Sequence, residues 1–242
     1  MFFKKGHQPK YAIKTNPPNM GSSVHASKKE RNIKMDNYIK INNQITYLTD
    51  EQVKSIQQSF GTNQKLADIA VGETFKVGKH EFVVLEHSKE TTAVILKELL
   101  FEEKQFGKNN NYNGSFVDVL CNEFADKLAG IIGNAAIVEH TVDLTADDGL
   151  KDYGKIKRRV SLLTAEQYRR YVEIFDKHKI DAWWWLATAY STPTHNSPNW
   201  VKVVSPSGDV NANSCNFSRG VRPFCILKSN IFVSKKRREN NE

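Results

Sequence analysis

Hydrophobic and polar positions alternate through the middle of the chain with the period of β-strands. ETFKV, a Gly78-Lys79 pair and HEFVVLEH predict two strands joined by a tight turn, and TTAVIL predicts a third, which together are typical of a β-meander. WWWLATA, WVKVVS and GVRPFCIL predict further strands. A turn at PSGD follows WVKVVS, and the chain then runs through a polar stretch to Asn216 that predicts a loop.

Three helices are predicted from residues that start and stop helices. Thr49 and Thr164 each begin a capping box, in which the Gln three residues later helps to satisfy free amides of the first turn. Ser115 starts the helix between them, which Gly133 ends. The apolar stripes expected to face the core are Val53, Ile56 and Phe60; Phe116, Val119, Leu120, Phe124, Leu128 and Ile131; and Tyr168, Tyr171, Val172 and Phe175.

The order of these elements is helix, strands, two helices, strands. It predicts an α+β fold, with two core helices packed on small antiparallel sheets and a short N-terminal helix, rather than a parallel βαβ sheet. The composition changes at Met35, which leaves open whether Met1 or Met35 is the start. The predicted segments are a disordered basic extension (1–34), an N-terminal helical segment (35–69), a folded domain (70–234) and a basic tail (235–242).

Three consecutive Trp residues lie in one predicted strand. Side chains alternate between the faces of a strand, so Trp184 points to one face and Trp183 and Trp185 point to the other. At least one indole must therefore be covered by a helix or loop, which predicts core packing rather than a ligand site.

Charge lies mainly at the two ends of the chain. Of a net charge of +8, residues 1–34 carry +7 and residues 235–242 carry +2, which leaves −1 on residues 35–234. Because the segment 35–234 is almost neutral, its charge argues against nucleic-acid binding. No apolar run reaches the roughly 18–20 residues of a membrane span, and no secretory signal precedes the body, so we expect a protein that is cytoplasmic as synthesised.

The familiar motifs of catalysis and metal binding are missing from the sequence. Asp143, Asp147, Asp148 and Asp152 are close in the chain, but their spacing is not that of an EF-hand loop, and a solvated loop is the better interpretation. Cys121 and Cys225 lie in apolar patterns typical of buried thiols. We predict no catalytic residue, no metal and no cofactor.

The C-terminal motifs resemble those of a known family. WWWLAT at 183–188, VSPSG at 204–208 and GVRPF at 220–224 are similar to the ending of a bacterial and phage family catalogued only as a domain of unknown function. GETFKVGKHEFVVLEH and NGSFVDVLCNEFADKL resemble its upstream segments, so the similarity spans about residues 70–233. Ala187-Thr188-Ala189 replaces the family's usual R-S-P, so the role of that arginine is not carried over.

That family in turn resembles the C-type lectin-like fold in its formylglycine-generating-enzyme branch. Ser197-Pro198-Asn199-Trp200 matches only a fragment of the motifs of calcium-dependent lectins, so calcium-dependent sugar binding is not implied. A third branch consists of proteins whose last strands and loops are varied by diversity-generating retroelements. Residues 209–219 lie between the framing VSPSG and GVRPF motifs, where such a variable region would be.

Residues 190–200 and 209–219 are rich in Asn, Ser and aromatic side chains, as antibody loops are. We therefore expect a non-enzymatic ligand-binding protein of phage or prophage type, able to associate with a virion, that presents these loops to a macromolecular or cell-surface ligand. Arg222 is expected to hold a carboxylate or carbonyls beneath the last strand. The expected contact residues are Tyr190, His195, Asn196, Asn199, Trp200, Asp209, Asn211, Asn213, Asn216, Phe217 and Arg219.

Two alternatives belong to other functional classes. One is an oxidase of the formylglycine-generating type, with Cys215 and Cys225 as its redox pair, which requires their Cα atoms to lie within about 7 Å. The other is a nucleic-acid-associated protein that acts through its basic tails, for which binding would depend strongly on salt.

Overall fold

A computed structural model describes residues 38–41, 44–47, 49, 51 and 62–235, and these residues fall into two units that divide between positions 61 and 62. In the first unit, β1 (Tyr38–Ile41) and β2 (Gln44–Tyr47) pair antiparallel. These strands were not predicted, and the side chains of β2 are all exposed, so no burial pattern marks it in the sequence. The helix predicted to start at Thr49, with Val53, Ile56 and Phe60, lies outside the described residues apart from positions 49 and 51.

The larger unit combines many short strands with three described helices, which confirms the α+β prediction. The helices are α1 (Phe116–Ile132), α2 (Ala165–Arg170) and α3 (Val172–Lys177). The strands are β3 (Thr62–Lys65), β4 (Thr74–Val77), β5 (His80–His87), β6 (Thr91–Leu96), β7 (Phe101–Gln105), β8 (Ile137–Val138), β9 (His140–Asp143), β10 (Lys155–Arg158), β11 (Val160–Ser161), β12 (Trp184–Ala189), β13 (Trp200–Val204), β14 (Val210–Ser214), β15 (Ser218–Val221), β16 (Phe224–Lys228) and β17 (Phe232–Lys235).

Eight strands form an antiparallel sheet in the order β11-β16-β6-β5-β4-β17-β3, with β8 also paired to β16. The predicted meander is confirmed as β4, β5 and β6. Its first turn contains Gly78 at a φ of 57°, a left-handed conformation that glycine adopts without strain. Strands β9 and β10 form a separate antiparallel pair.

The other large sheet has five strands in the order β14-β13-β12-β15-β7. The hairpin of β13 and β14 is confirmed around the PSGD turn, but the polar stretch beyond it was wrongly predicted as a loop. It forms β14, and β15 begins at Ser218, two residues after the stretch ends. Strand β14 pairs with β13 from Val210 opposite Val204 to Ser214 opposite Trp200. Asn is depleted in strands, but pairing with a neighbouring strand overrides that weak preference.

Helix α1 begins and ends where the sequence predicted. The Ser115 hydroxyl accepts a hydrogen bond from the Asp118 amide, and Gly133 follows the last turn. The predicted buried face is wrong in part, because Phe116, Val119 and Ile131 are exposed. The face that packs on the sheets is rotated from the predicted one and consists of Val117, Asp118, Cys121, Phe124, Ala125 and Leu128.

The third predicted helix is divided into α2 and α3 at Tyr171. The capping box of Thr164 and Gln167 is confirmed, with both of its hydrogen bonds present. Tyr168 and Phe175 are buried as predicted, whereas Val172, the first residue of α3, is exposed.

The core consists of two clusters on opposite sides of β12. Trp184 packs into one cluster, Trp185 packs into the other, and Trp183 lies partly buried against the same cluster as Trp185. The predicted alternation of the Trp run is therefore confirmed. Both faces of β12 are covered, so all six of its residues are buried.

Arg222 is buried beneath the strands, with only 1% of its surface exposed. Its Nε donates to the Leu96 carbonyl at 2.8 Å, and its Nη2 donates to the Lys97 carbonyl at 3.0 Å. The guanidinium carbon lies 5.2 Å from the centre of the Phe175 ring and 5.3 Å from that of Trp184. The predicted role of holding carbonyls is confirmed.

Candidate functional site

Residues 190–199 and the 214–217 turn meet at one end of the five-stranded sheet. The Cys215 amide donates to the Asn199 carbonyl at 2.7 Å, and the Tyr190 amide donates to the Trp200 carbonyl at 2.9 Å. Trp200 and Ser214 are directly opposite each other in the β13–β14 register. Both segments predicted to bind ligand are thus joined through their backbones.

Three aromatic side chains are about half exposed at this end. The exposed fractions are 49% for Tyr190, 46% for Trp200 and 51% for Phe217. The Lys202 ammonium lies 5.6 Å from the centre of the Tyr190 ring and contributes a cation–π contact that helps to orient it. Large aromatic groups left in water on ordered backbone are typical of binding surfaces.

Asn110 holds the 190–200 loop from inside the protein. Its side chain is fully buried, and the two hydrogens of its Nδ2 group are shared among the carbonyls of Ser191, Ser197 and Trp200, which lie at 2.8, 3.0 and 2.9 Å. Its Oδ1 accepts a 2.6 Å hydrogen bond from the Tyr153 hydroxyl. The sequence analysis missed Asn110, which is one of several Asn residues in KNNNYNG with nothing in the pattern to distinguish it.

Two carboxylates hold the same loop from its solvent side. Asp148 accepts hydrogen bonds from the Ser191 hydroxyl at 2.5 Å and from His195 Nδ1 at 3.0 Å. Asp152 accepts from the hydroxyls of Thr192 and Thr194, each at 2.6 Å. These hydroxyl donors lower the pKa of both carboxyl groups, with Ser191 the largest cause at Asp148.

The acidic stretch is therefore more structured than the predicted solvated loop. Asp143 pairs with Lys155 at 2.8 Å, and Asp147 pairs with Lys202 at 3.0 Å and with Arg169 at 3.1 Å. Burial acts to raise the pKa of Asp147, but hydrogen bonds from these two cations hold it below its usual range. Within the described residues, no three His, Cys, Asp or Glu side chains are grouped so that they could hold a metal ion.

Arg219 links the other predicted contact residues. Its Nε donates to Asn213 Oδ1 at 2.6 Å, and its guanidinium carbon lies 5.4 Å from the centre of the Phe217 ring and 5.8 Å from that of Trp183. The neighbouring Asn216 side chain is exposed. The main-chain carbonyl of Asn216 accepts a hydrogen bond from the Gln105 side chain at 3.0 Å.

Two of the predicted contact residues lie away from this end. Asp209 belongs to the turn at the opposite end of β14, where its carboxylate accepts from the Ser207 hydroxyl at 2.6 Å. Asn211 is exposed on β14 opposite Val203, nearer to that turn. The other predicted contact residues lie at or next to this end of the sheet, where Trp200 and Asn213 point to opposite faces because they are one step apart in the register. We call these residues the sheet-end surface: Tyr190, His195, Asn196, Asn199, Trp200, Asn213, Asn216, Phe217 and Arg219.

All three cysteines are free and buried. Cys225 is in β16 of the eight-stranded sheet, whereas Cys215 follows β14 of the five-stranded sheet. Burial raises the pKa of both thiols, which disfavours the thiolate form that thiol chemistry requires. The geometry gives no support to a redox pair.

Comparison with known families matches residues 90–229 to a family described as a domain of unknown function (DUF6273). The match covers more than half of the chain. The chain belongs to the DUF6273 family. This confirms the expected kind of family, and the DUF6273 segment runs from the turn before β6 to the end of β16, so it contains the whole sheet-end surface.

Neither the curated proteins nor the solved structures provide a significant match to the chain. Across the described residues, we find no helix with the length and apolar character needed to cross a bilayer.

Proposed function

We propose that the protein binds a macromolecular or cell-surface ligand through the sheet-end surface and catalyses no reaction. The observation that carries this proposal is the grouping of three half-exposed aromatic side chains, Tyr190, Trp200 and Phe217, on backbone segments that hydrogen-bond to one another. Aromatic and Arg side chains are the usual hot spots of interfaces, and here they are accompanied by Asn side chains able to donate and accept.

Order in the free protein supports this proposal. Asn110 holds the 190–200 loop from within, and Asp148 and Asp152 hold it from outside. A loop that is already ordered loses little conformational entropy on binding, so more of its contact energy appears as affinity. The motif resemblance to C-type lectin-like proteins, with variation in their last strands and loops, favours the same location.

The experiment measures binding of the fluorescently labelled full chain to a panel of Gram-positive and Gram-negative cells by flow cytometry. We expect binding to some strains and a loss of at least about 30-fold in affinity for Trp200→Ala or Phe217→Ala, since a hot spot costs at least about 2 kcal/mol. Phe232→Ala is the matched control, because Phe232 is 65% exposed on β17, which belongs to the eight-stranded sheet rather than to the five-stranded one. The proposal is overturned if the unsubstituted chain binds no strain, or if it binds no strain more tightly than the two variants do.

The biological setting is a finer proposal. We infer a phage or prophage protein whose residues 183–224 are varied by a diversity-generating retroelement, because the sheet-end surface lies within that segment and four of its members are Asn, whose codons are rich in adenine. Sequencing of the genes around this one tests the inference. A reverse-transcriptase gene and a near-copy of the segment are expected, and a neighbourhood with neither would contradict it.

A further inference from the structure

A small cavity lies beside Arg222, at the end of the five-stranded sheet opposite to the sheet-end surface. Its volume of about 10 Å³ is room for roughly one water molecule or one monatomic ion. Its walls come from α2, from α3 and the residues that follow it, from β12 and from the turn between β13 and β14. The cavity is therefore where this turn meets the core cluster that contains Trp184.

One nitrogen of the Arg222 guanidinium is left to face this cavity. Nε donates to the Leu96 carbonyl at 2.8 Å, and Nη2 donates to the carbonyls of Lys97 at 3.0 Å and His178 at 3.4 Å. Nη1 makes no hydrogen bond to the part of the chain that the structure describes, and Arg222 lines the cavity. Buried donors without a partner are rare in proteins, so Nη1 calls for an acceptor in the cavity.

The charge of Arg222 also has no close counter-ion. The residue is 1% exposed, and none of the described carboxylates lies within ion-pair distance of it. Main-chain carbonyls and the rings of Phe175 and Trp184 present only partial negative charge, and Glu98 attracts the guanidinium from farther away. Burial lowers the pKa of Arg222 to about 10, which reflects the cost of holding this charge away from water. An anion beside Nη1 would offset that cost.

Lys179 brings a second positive charge to the cavity. It is one of the lining residues, and its side chain is 49% exposed. The Asp176 carboxylate lies 3.4 Å from the Lys179 ammonium but is 62% exposed, so water weakens this ion pair. Among the described residues that line the cavity, none is Asp or Glu. Two cations thus border a space that no carboxylate of its walls fills.

The size of the cavity selects the kind of anion. A space for about one water molecule admits a monatomic anion, whereas phosphate and sulfate are larger. A water molecule could accept from Nη1, but it carries no charge and would leave the guanidinium uncompensated. Chloride is the monatomic anion to which proteins are most exposed, so it is the ligand to test.

We propose that this cavity binds a chloride ion, which accepts hydrogen bonds from Arg222 Nη1 and from the Lys179 ammonium. The ion links the strand end that carries Arg222 to the segment after α3. It lies beside the β13–β14 turn, where the Tyr168 hydroxyl donates to the Gly208 carbonyl at 2.7 Å. Its role is to stabilise the folded chain. Because the cavity and the sheet-end surface lie at opposite ends of the sheet, this inference does not depend on the proposed binding function.

The experiment measures thermal unfolding of the full chain while sodium chloride replaces sodium gluconate at a constant ionic strength of about 0.2 M. A ligand that binds only the folded chain raises the melting temperature as its concentration increases. We expect the melting temperature to rise with chloride along a one-site saturation curve. Broadening of the chloride NMR signal by the folded protein measures the same binding directly.

Three variants with exposed side chains test the position of the ion. Lys179→Gln removes one of the two cations and should raise the chloride dissociation constant at least about fivefold. Asp176→Asn removes the carboxylate that competes for Lys179 and should lower that constant by about threefold. Lys177→Gln is the matched control, because Lys177 is exposed at the end of α3 and does not line the cavity. It makes the same change in net charge and should leave the constant within about twofold.

Three results would overturn the inference. The first is a melting temperature that does not change when chloride replaces gluconate, as expected if only water occupies the cavity. The second is a loss of chloride affinity in Lys177→Gln as large as that in Lys179→Gln, which would indicate a general effect of surface charge. The third is weaker chloride binding in Asp176→Asn, which would place the ion elsewhere.

Discussion

Two arginine side chains, three residues apart in sequence, stack on aromatic rings in opposite environments. Arg222 lies against both Phe175 and Trp184 with 1% of its surface exposed, and its hydrogen bonds go to main-chain carbonyls. Arg219 contacts Trp183 and Phe217 at the sheet end, where Phe217 is 51% exposed.

The difference shows how one set of residue types serves both stability and recognition. Arg222 is itself removed from water and donates to main-chain carbonyls of the fold, so its contacts stabilise the folded chain. Arg219 keeps part of its surface in water, so its contacts hold an aromatic side chain in place for a partner. We therefore expect the largest losses of stability in the region around Arg222 and the smallest around Arg219.

The largest expected effect is at Trp184. Trp184→Ala removes a ring packed among Tyr168, Phe175 and Arg222, and we expect a loss of about 3–5 kcal/mol in the free energy of unfolding. Trp200→Ala, at the sheet end, should cost less, about 1–2 kcal/mol, since nearly half of that residue is already in water. Urea unfolding of both variants measures the contrast, and equal losses would break the comparison.

A pH effect should appear in the packed region. Burial lowers the pKa of His140 to about 4, and its ring packs edge-on against Phe224. In the unfolded chain this pKa is about 6.5, so between pH 6.5 and 4 the unfolded state binds a proton that the folded state does not. Stability is therefore complete above pH 6.5 and falls as the pH drops toward 4, by up to about 3 kcal/mol.

Urea unfolding measured across this pH range tests the effect. His140→Gln should flatten the dependence, because Gln carries no titrating group and can still hydrogen-bond to the Ser161 hydroxyl that His140 contacts at 2.9 Å. An unchanged slope in the variant would assign the dependence to other groups.

An intermediate effect is expected at Asn110, which connects the two regions. Asn110→Ala leaves the carbonyls of Ser191, Ser197 and Trp200 without their side-chain donor and should cost about 1–3 kcal/mol. Because the loss is local, amide hydrogen exchange should accelerate most in residues 190–200. Uniform acceleration along the chain would show that the loop is not held separately.

The smallest effect is expected at the Arg219–Asn213 contact. Asn213→Ala removes the acceptor of a 2.6 Å hydrogen bond that Arg219 Nε donates near the surface. The free energy of unfolding should change by about 0.5 kcal/mol or less. A loss comparable to that of Trp184→Ala would place Asn213 in the scaffold rather than in the sheet-end surface.

Several elements could be predicted because their signals are local. The capping box of Thr164, the cap of Ser115 and the β4–β5 turn at Gly78 each depend on residues within one turn, and all are confirmed. The alternation of the Trp run follows from strand geometry alone, so it too was predictable. Within the candidate site, composition pointed to both segments that meet at the sheet end.

Other features depend on contacts between distant segments and could not be predicted. Helix α1 has apolar residues on more than one face, and only the sheets packed against it select Val117 and Cys121 for burial over Phe116 and Val119. β14 contains Asn211 and Asn213 and becomes a strand because β13 supplies its hydrogen-bond partners.

The sequence by itself determined the α+β class, the caps and turns, and the residue types available for binding, because these follow from local geometry and periodicity. Only the tertiary structure decided which of those residues meet. It placed Asp209 at the far end of β14 and chose Asn110, among several similar residues, to hold the 190–200 loop. Burial and long-range hydrogen bonds give different roles to chemically identical side chains. Both depend on residues that are distant in sequence, so the local pattern does not predict them.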